Sequence, residues 1–192
     1  MAANRYDRRV EEEVRLRRAG VEDAQALTGV ARAAYRIYVT RIGREPAPMR
    51  ADYETLITTA QVWLMERAGH PIGLLVTRAM DHYLLIENIA VIPAEQEHGV
   101  GGRLLGRAEL DATEAGLGEL RLYTNEAMTE NLTYYPHHGF TETLDRPGFR
   151  AAFFLVKGCA HAQETPHRGS RSISPDGPRS TRQLSVFVSR VP

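Results

Sequence analysis

The chain has 192 residues and a single cysteine, Cys159. It can close no internal disulfide and has no companion thiols for a metal cluster, so a reducing compartment is expected, the cytoplasm being the simplest. No stretch approaches the roughly 20 consecutive apolar residues of a membrane span, and none suggests a membrane partner. Met1 to Arg18 is rich in Arg and Glu and has no apolar run, so no secretory leader is expected. Excess charge of either sign is missing too: 24 Lys and Arg balance 24 Asp and Glu. Nucleic-acid binders normally carry a basic face, and the balance gives no support for one. What remains is ordinary globular composition, 43% hydrophobic and 25% charged, with length for one domain and a sizeable core.

The pattern along the chain is regular. Val14 to Arg18 alternates apolar and basic residues, the period of a half-buried strand, and Gly20 breaks it. Ala24, Leu27, Val30, Ala31 and Ala34 recur at helical spacing behind Glu22 and Asp23, acids where a helix start favours them. Two prolines and a glycine exclude regular helix from Ile42 to Pro48. A second helix is expected over Met49 to Thr59. Strands follow at Gln61 to Glu66, Ile72 to Thr77 and Tyr83 to Ile92, the last being the most apolar and therefore central. A helix over Gly99 to Glu114 places Val100, Leu104, Ala108 and Ala112 on one face. A strand at Leu120 to Thr124, a short helix from Ala127 to Tyr135, and strands at Phe140 to Leu144 and Ala151 to Val156 complete the set.

Helices lie between some strands and not others, which implies a mixed sheet in one α/β or α+β domain over residues 1–158. From Cys159 to Pro192 the composition shifts to Ser, Arg, Pro, Gly and His. This tail is expected to be mostly disordered. Leu184 to Val188 is its only apolar alternation, the one part suited to dock on the domain or on a partner.

The chemistry concentrates in Glu87 to Leu105, where a buried strand ends at Pro93 and a glycine-rich turn opens an amphipathic helix. Glycines there let backbone approach a ligand and aim N–H groups the same way. The free amides and positive dipole of a helix start favour an anion, typically phosphate. The third glycine of a dinucleotide fingerprint and the Lys-Ser/Thr pair of a P-loop are both missing. The spacing Gln96-x-x-Gly99-x-Gly101 resembles the pyrophosphate-binding motif of the GNAT acetyltransferases, Q/R-x-x-G-x-G/A. Tyr135-Pro136-His137-His138-Gly139-Phe140 resembles the closing motif of that family, Y-x-x-x-G-F.

The resemblance covers the order of elements from about Arg15 to Lys157. It implies a GNAT-like, mostly antiparallel central sheet flanked by helices, with acetyl-CoA as co-substrate where two neighbouring strands splay. Ile89, Ala90 and Val91 would lie along the acyl donor, a backbone N–H near Ala90 or Val91 serving the oxyanion. Gln96, Glu97, His98, Gly99, Val100, Gly101, Gly102 and Arg103 would cradle the pyrophosphate. Tyr135 would protonate the departing thiolate, which suits a phenol of pKa near 10; otherwise it is a packed aromatic. Met128 stands where many relatives have an asparagine on the pantetheine arm, and Asn131 on the same helix face is the substitute.

Glu87, in an otherwise apolar strand, is either the base for the amine or an outward residue paired with an arginine. Tyr38, Arg41 and Arg44 are the candidate acceptor contacts, suited to a small polar molecule. Tyr123 and Thr124 stand where N-terminal acetyltransferases of ribosomal proteins commonly carry an acid, which argues against a peptide α-amine. The expected function is direct N-acetylation of a small-molecule amine, with no metal. A protein or peptide amine, and a non-catalytic acyl-CoA sensor, stay open as alternatives, as does a homodimer.

Overall fold

The computed structural model describes residues 14–143, 152–159 and 187–188. In order come β1 (Val14–Arg18), α1 (Ala24–Ile42), α2 (Tyr53–Thr59), β2 (Gln61–Arg67), β3 (His70–Ala79), β4 (Leu84–Val91) and α3 (Val100–Glu114). Then follow β5 (Glu119–Asn125), α4 (Asn131–His137), β6 (Thr141–Glu142), β7 (Ala152–Gly158) and β8 (Phe187–Val188). One sheet runs β1-β2-β3-β4-β5-β7-β6, antiparallel throughout except where β4 meets β5 in parallel. β8 also pairs with β4, in parallel.

Each face of the sheet carries its own core. α1 presents Leu27, Val30, Ala31, Ala34, Tyr35 and Tyr38 along one stripe, packed with Val62, Leu64, Leu74, Val76 and Ala90. α3 presents Val100, Leu104, Leu105, Ala108 and Ala112 to the opposite face, with Leu75, Ile86, Ile89, Leu120 and Leu122. Such stripes form helices because residues three and four apart share a side, and each large side chain so buried contributes about 1.5–3 kcal/mol. β4 lies between the layers with all eight residues buried, in agreement with its apolar sequence.

Two irregularities of β4 shape the sheet around it. Val76 faces Asn88 while Thr77 faces Ile86, so Glu87 is an extra residue, a bulge that bends and twists its strand. On its other side, β4 pairs with β5 only at Leu84–Leu120 and Leu85–Arg121. Beyond those pairs the two strands part.

Several boundaries differ from expectation for local reasons. α1 continues past Ala34 to Ile42, where Gly43 adopts φ +77° and returns its N–H to the Val39 carbonyl. The helix expected from Met49 starts only at Tyr53, because the Asp52 carboxylate accepts the Thr55 N–H and fixes the cap there. α4 begins at Asn131 rather than Ala127: the Asn125 side chain takes the Ala127 N–H and holds a turn. A proline at position 136 is expected to end or kink this helix, yet Pro136 lies within it. Near the end of so short a helix it forfeits a single bond. Leu144 and Ala151 lie outside the described residues, as does the expected disordered tail apart from Cys159 and the β8 pair.

A buried polar chain joins the α1 layer to the sheet. Tyr35 donates to Asn88 Oδ1 (2.7 Å), Asn88 Nδ2 donates to the Tyr53 hydroxyl (3.0 Å), and that hydroxyl donates to the Pro48 carbonyl (3.1 Å). Burial pushes the Tyr53 phenol well above its ordinary pKa. Asn88→Leu deprives two buried hydroxyls of their shared amide, and should cost about 1–3 kcal/mol in urea unfolding. A change below about 0.5 kcal/mol would show that the chain does not tie the layers together.

Candidate active site

The parting of β4 and β5 leaves Asn88 to Val91 without partners on β5. At the end of β4, Ile89, Ala90 and Val91 are fully buried. The chain turns at Pro93–Glu95, and the Gln96 side chain donates back to the Val91 carbonyl (3.2 Å), fastening the turn to the strand. Gln96 therefore holds the turn's shape. Glu97 and Gly99 both adopt left-handed backbone, at φ +70° and +73°. That geometry suits Gly99, the N-cap of α3, and costs Glu97 about 1–2 kcal/mol. Left-handed residues in such a turn make the N–H groups converge.

α3 then opens with Val100, Gly101, Gly102 and Arg103. The first intrahelical bond runs from the Arg103 N–H to Gly99, so the preceding amides are free of helical partners. Glu97, His98 and Arg103 are exposed, and Arg103 reaches the Val14 carbonyl (3.2 Å). Gly101 is buried in the first turn. Gly102 faces the ring of His138, whose Cε1 lies 3.7 Å from where a Cβ would stand. α3 and α4 are thus neighbours at the mouth of the gap.

Tyr135 owes its position to the motif that contains it. Gly139 takes φ +82°, its N–H returns to Pro136, and the Phe140 N–H returns to Tyr135 (3.1 Å). This is a Schellman ending, with the accompanying apolar contact made by the Tyr135 and Phe140 rings at 5.6 Å. The Y-x-x-x-G-F spacing is therefore the spacing of a helix stop. It also sinks Tyr135 to zero exposure, with a hydroxyl that has no hydrogen-bond partner among the described residues. Burial raises its pKa well above the ordinary phenol value, aided by Tyr134 and by Tyr38. Such a hydroxyl holds its proton and lacks an acceptor.

Glu87 sits on the bulge at 8% exposure. The Arg78 guanidinium donates to both of its oxygens, from Nε (2.5 Å) and Nη2 (3.3 Å), and also donates to the Thr59 carbonyl (2.7 Å). The carboxylate keeps the Arg78 guanidinium more firmly protonated than usual. On its other side stands Tyr123, whose phenol is pushed up by burial and then by Glu87. Glu87 thus has an arginine partner, as one of the two sequence readings expected, although it is buried rather than outward.

The remaining candidates are more scattered. Asn131 is fully buried at the start of α4 and donates to Thr124 Oγ1 (2.8 Å), bracketing α4 onto β5. Met128 is buried beside it. Tyr38 lies in the interior, while Arg41 pairs with Glu130 (2.7 Å), joining α1 to the residue before α4. Arg44 is exposed beyond the end of α1. The Arg41 guanidinium lies over the Tyr38 ring, 5.6 Å from its centroid, so the structure brings these two together. His137 is exposed, with Nδ1 on the Thr133 carbonyl (2.7 Å). Sequence reading missed Asn88, which binds Tyr35 and Tyr53. A second polar residue beside Glu87 in an apolar strand was the available signal. It also missed a cavity of about 240 Å³ lined by Tyr83, Leu85, Arg121, Tyr123, Phe154 and neighbours, on the face of β5 that Tyr123 shares.

Residues 58–142 match the acetyltransferase (GNAT) domain. The chain is similar to the GNAT acetyltransferases over this stretch. Its β4, glycine turn, α3 and α4 all fall inside the matched stretch. The fold is similar to that of the PaiA N-acetyltransferase of Thermoplasma acidophilum in complex with coenzyme A, with TM-score 0.67 and 18% identity over 76% of this chain and 99% of that one. It is similar to the ribosomal-protein-S18-alanine N-acetyltransferase of Escherichia coli, with TM-score 0.60 and 16% identity over 81% of this chain and 99% of that one. The N-acetylglutamate synthase of Neisseria gonorrhoeae, complexed with coenzyme A and N-acetyl-glutamate, gives TM-score 0.61 and 20% identity over 78% of this chain and 36% of that one. No curated protein matches in sequence.

Among the described residues, no three His, Cys, Asp or Glu side chains are grouped to hold a metal. No described helix is long and apolar enough to cross a membrane. Glu87 and Arg78 should depend on one another. In a double-mutant cycle with Glu87→Gln and Arg78→Met, unfolding should show a coupling of at least about 0.5 kcal/mol. Additive losses would mean that the two groups do not act as a pair.

Proposed function

We propose that this GNAT-like domain transfers acetyl from acetyl-CoA directly to the amine of a small molecule, at the gap between β4 and β5. The observation that carries the reading is the Tyr135 hydroxyl: buried, protonated, without a partner among the described residues, on a ring packed in the core cluster that holds Ile89 of β4 and Leu122 of β5. A buried donor left unpaired costs about 1–3 kcal/mol, a cost removed once an acceptor such as a thiolate arrives. The free amides of Val100, Gly101 and Gly102 at the start of α3 suit the pyrophosphate of the donor. Acetyl-CoA supplies the activated thioester, and the chain supplies positions and protons.

As the amine nitrogen bonds to the acetyl carbon, the C–S bond breaks and the thiolate takes the Tyr135 proton. A backbone N–H at Ala90 or Val91 stabilises the oxyanion. The amine proton passes to Glu87, directly or through water. Cys159 does not enter: its N–H binds the Gly118 carbonyl (2.8 Å) at the start of β5, the opposite end of that strand from Thr124 and the α4 bracket. Burial raises its thiol pKa, so it makes a poor nucleophile. The cavity framed by Tyr83, Leu85, Tyr123 and Phe154 supports an acceptor with an apolar or aromatic body, its amine directed toward Glu87.

A panel of small amines is the test, with release of free coenzyme A as the signal and product mass as confirmation. Tyr135→Phe retains the ring and its packing, and removes a hydroxyl that the resting fold leaves unpaired. We expect kcat to fall about 10²–10⁴-fold, with acetyl-CoA affinity little changed and no loss of melting temperature. Activity within about twofold of the original protein would remove Tyr135 from the chemistry.

A further inference from the structure

The β4 edge that faces the gap is not bare. β8 lies along it in parallel, with Phe187 opposite Asn88 and Val188 opposite Ile89. Its Cα positions also approach β5, so it fills the space between the two parted strands. Those pairs sit just past the last β4–β5 pair, Leu85–Arg121, where the sheet loses its own partner. Buried backbone N–H and C=O groups require partners, and an open strand edge is a template for whatever extended chain reaches it. Here the chain reaches it with its own C-terminal segment.

We propose that Phe187–Val188 is an autoinhibitory strand that competes with acetyl-CoA for the β4 edge. This rests on the reading of the gap as the acyl-donor site. The donor's pantetheine arm is an extended chain carrying two amides, and so asks of Asn88 and Ile89 what a strand asks. Both cannot hold that edge together. Pairing over two residues is weak enough to be displaced, yet residues 160–186 tether the segment to the domain. Because the segment belongs to the same chain, its docking is intramolecular, which lets a weak contact form. Leu184 to Val188, the only apolar alternation beyond Cys159, is the part of the tail best suited to a sheet. Docking would lower the apparent affinity for acetyl-CoA in proportion to the population docked.

The test uses the full chain and the same chain with Phe187→Pro and Val188→Pro, which removes both backbone donors from the strand. Calorimetric titration with acetyl-CoA should show affinity about three- to tenfold tighter in the proline variant. Hydrogen exchange of the segment around Phe187 should speed up in the original chain when acetyl-CoA is added. Equal affinities, or unchanged exchange, would overturn the competition and leave the donor site standing. Weaker binding by the variant would overturn it too, by making the strand part of the donor site. Binding by neither protein would overturn the donor site itself, and this inference with it.

Discussion

The parting of β4 from β5 is the constraint on which the rest of this molecule depends. A parallel pair that stayed in register would satisfy both edges and close the sheet. Here the extra residue at Glu87 bends β4, and only Leu84 and Leu85 keep their partners on β5. The interior therefore contains strand edge, which is costly unless something extended lies against it. Two candidates exist for that place, an amide-bearing acyl donor and the chain's own Phe187–Val188. The same bulge aims Glu87 into the Arg78 clasp and beside Tyr123. One irregularity thus supplies a groove, a carboxylate and the need for an occupant.

Around the gap, the elements are fixed by polar contacts rather than by packing alone. Asn88 holds α1 and α2 through Tyr35 and Tyr53, Asn131 holds α4 to Thr124, and Gln96 fastens the glycine turn to Val91. Positions fixed in this way preorganise a site, because little has to be reordered when a ligand arrives. Against that background the Tyr135 hydroxyl stands out, as it is fully buried and has no such contact among the described residues. A fold that satisfies the Tyr35 and Tyr53 hydroxyls beneath β4 leaves this one for something else.

Much of this was legible in the residues, and the remainder has physical reasons for being hidden. β1 could be read to its limits from Val14 to Arg18, since alternation needs no knowledge of partners. The glycine turn and the Tyr135 motif were visible because their spacing expresses local backbone geometry, a left-handed cap and a Schellman stop. The start of α4 was misplaced because the Asn125 side chain competes for the Ala127 N–H, a contact no periodicity reveals. The bulge at Glu87 depends on register with β3, and the Asn88 chain on Tyr35 and Tyr53, 53 and 35 residues away. The alternation at Leu184 to Val188 was visible, but the open edge that receives Phe187 and Val188 exists only once β4 and β5 have parted.

The central claim is that the gap and the glycine turn at its end together hold acetyl-CoA, and binding tests it more directly than turnover. Gly101 is buried in the first turn of α3, where backbone rather than side chain should meet the pyrophosphate. Isothermal calorimetry with acetyl-CoA should find that Gly101→Val weakens binding at least about tenfold, about 1.4 kcal/mol, while circular dichroism shows the fold retained. Affinity unchanged by that substitution would contradict the account.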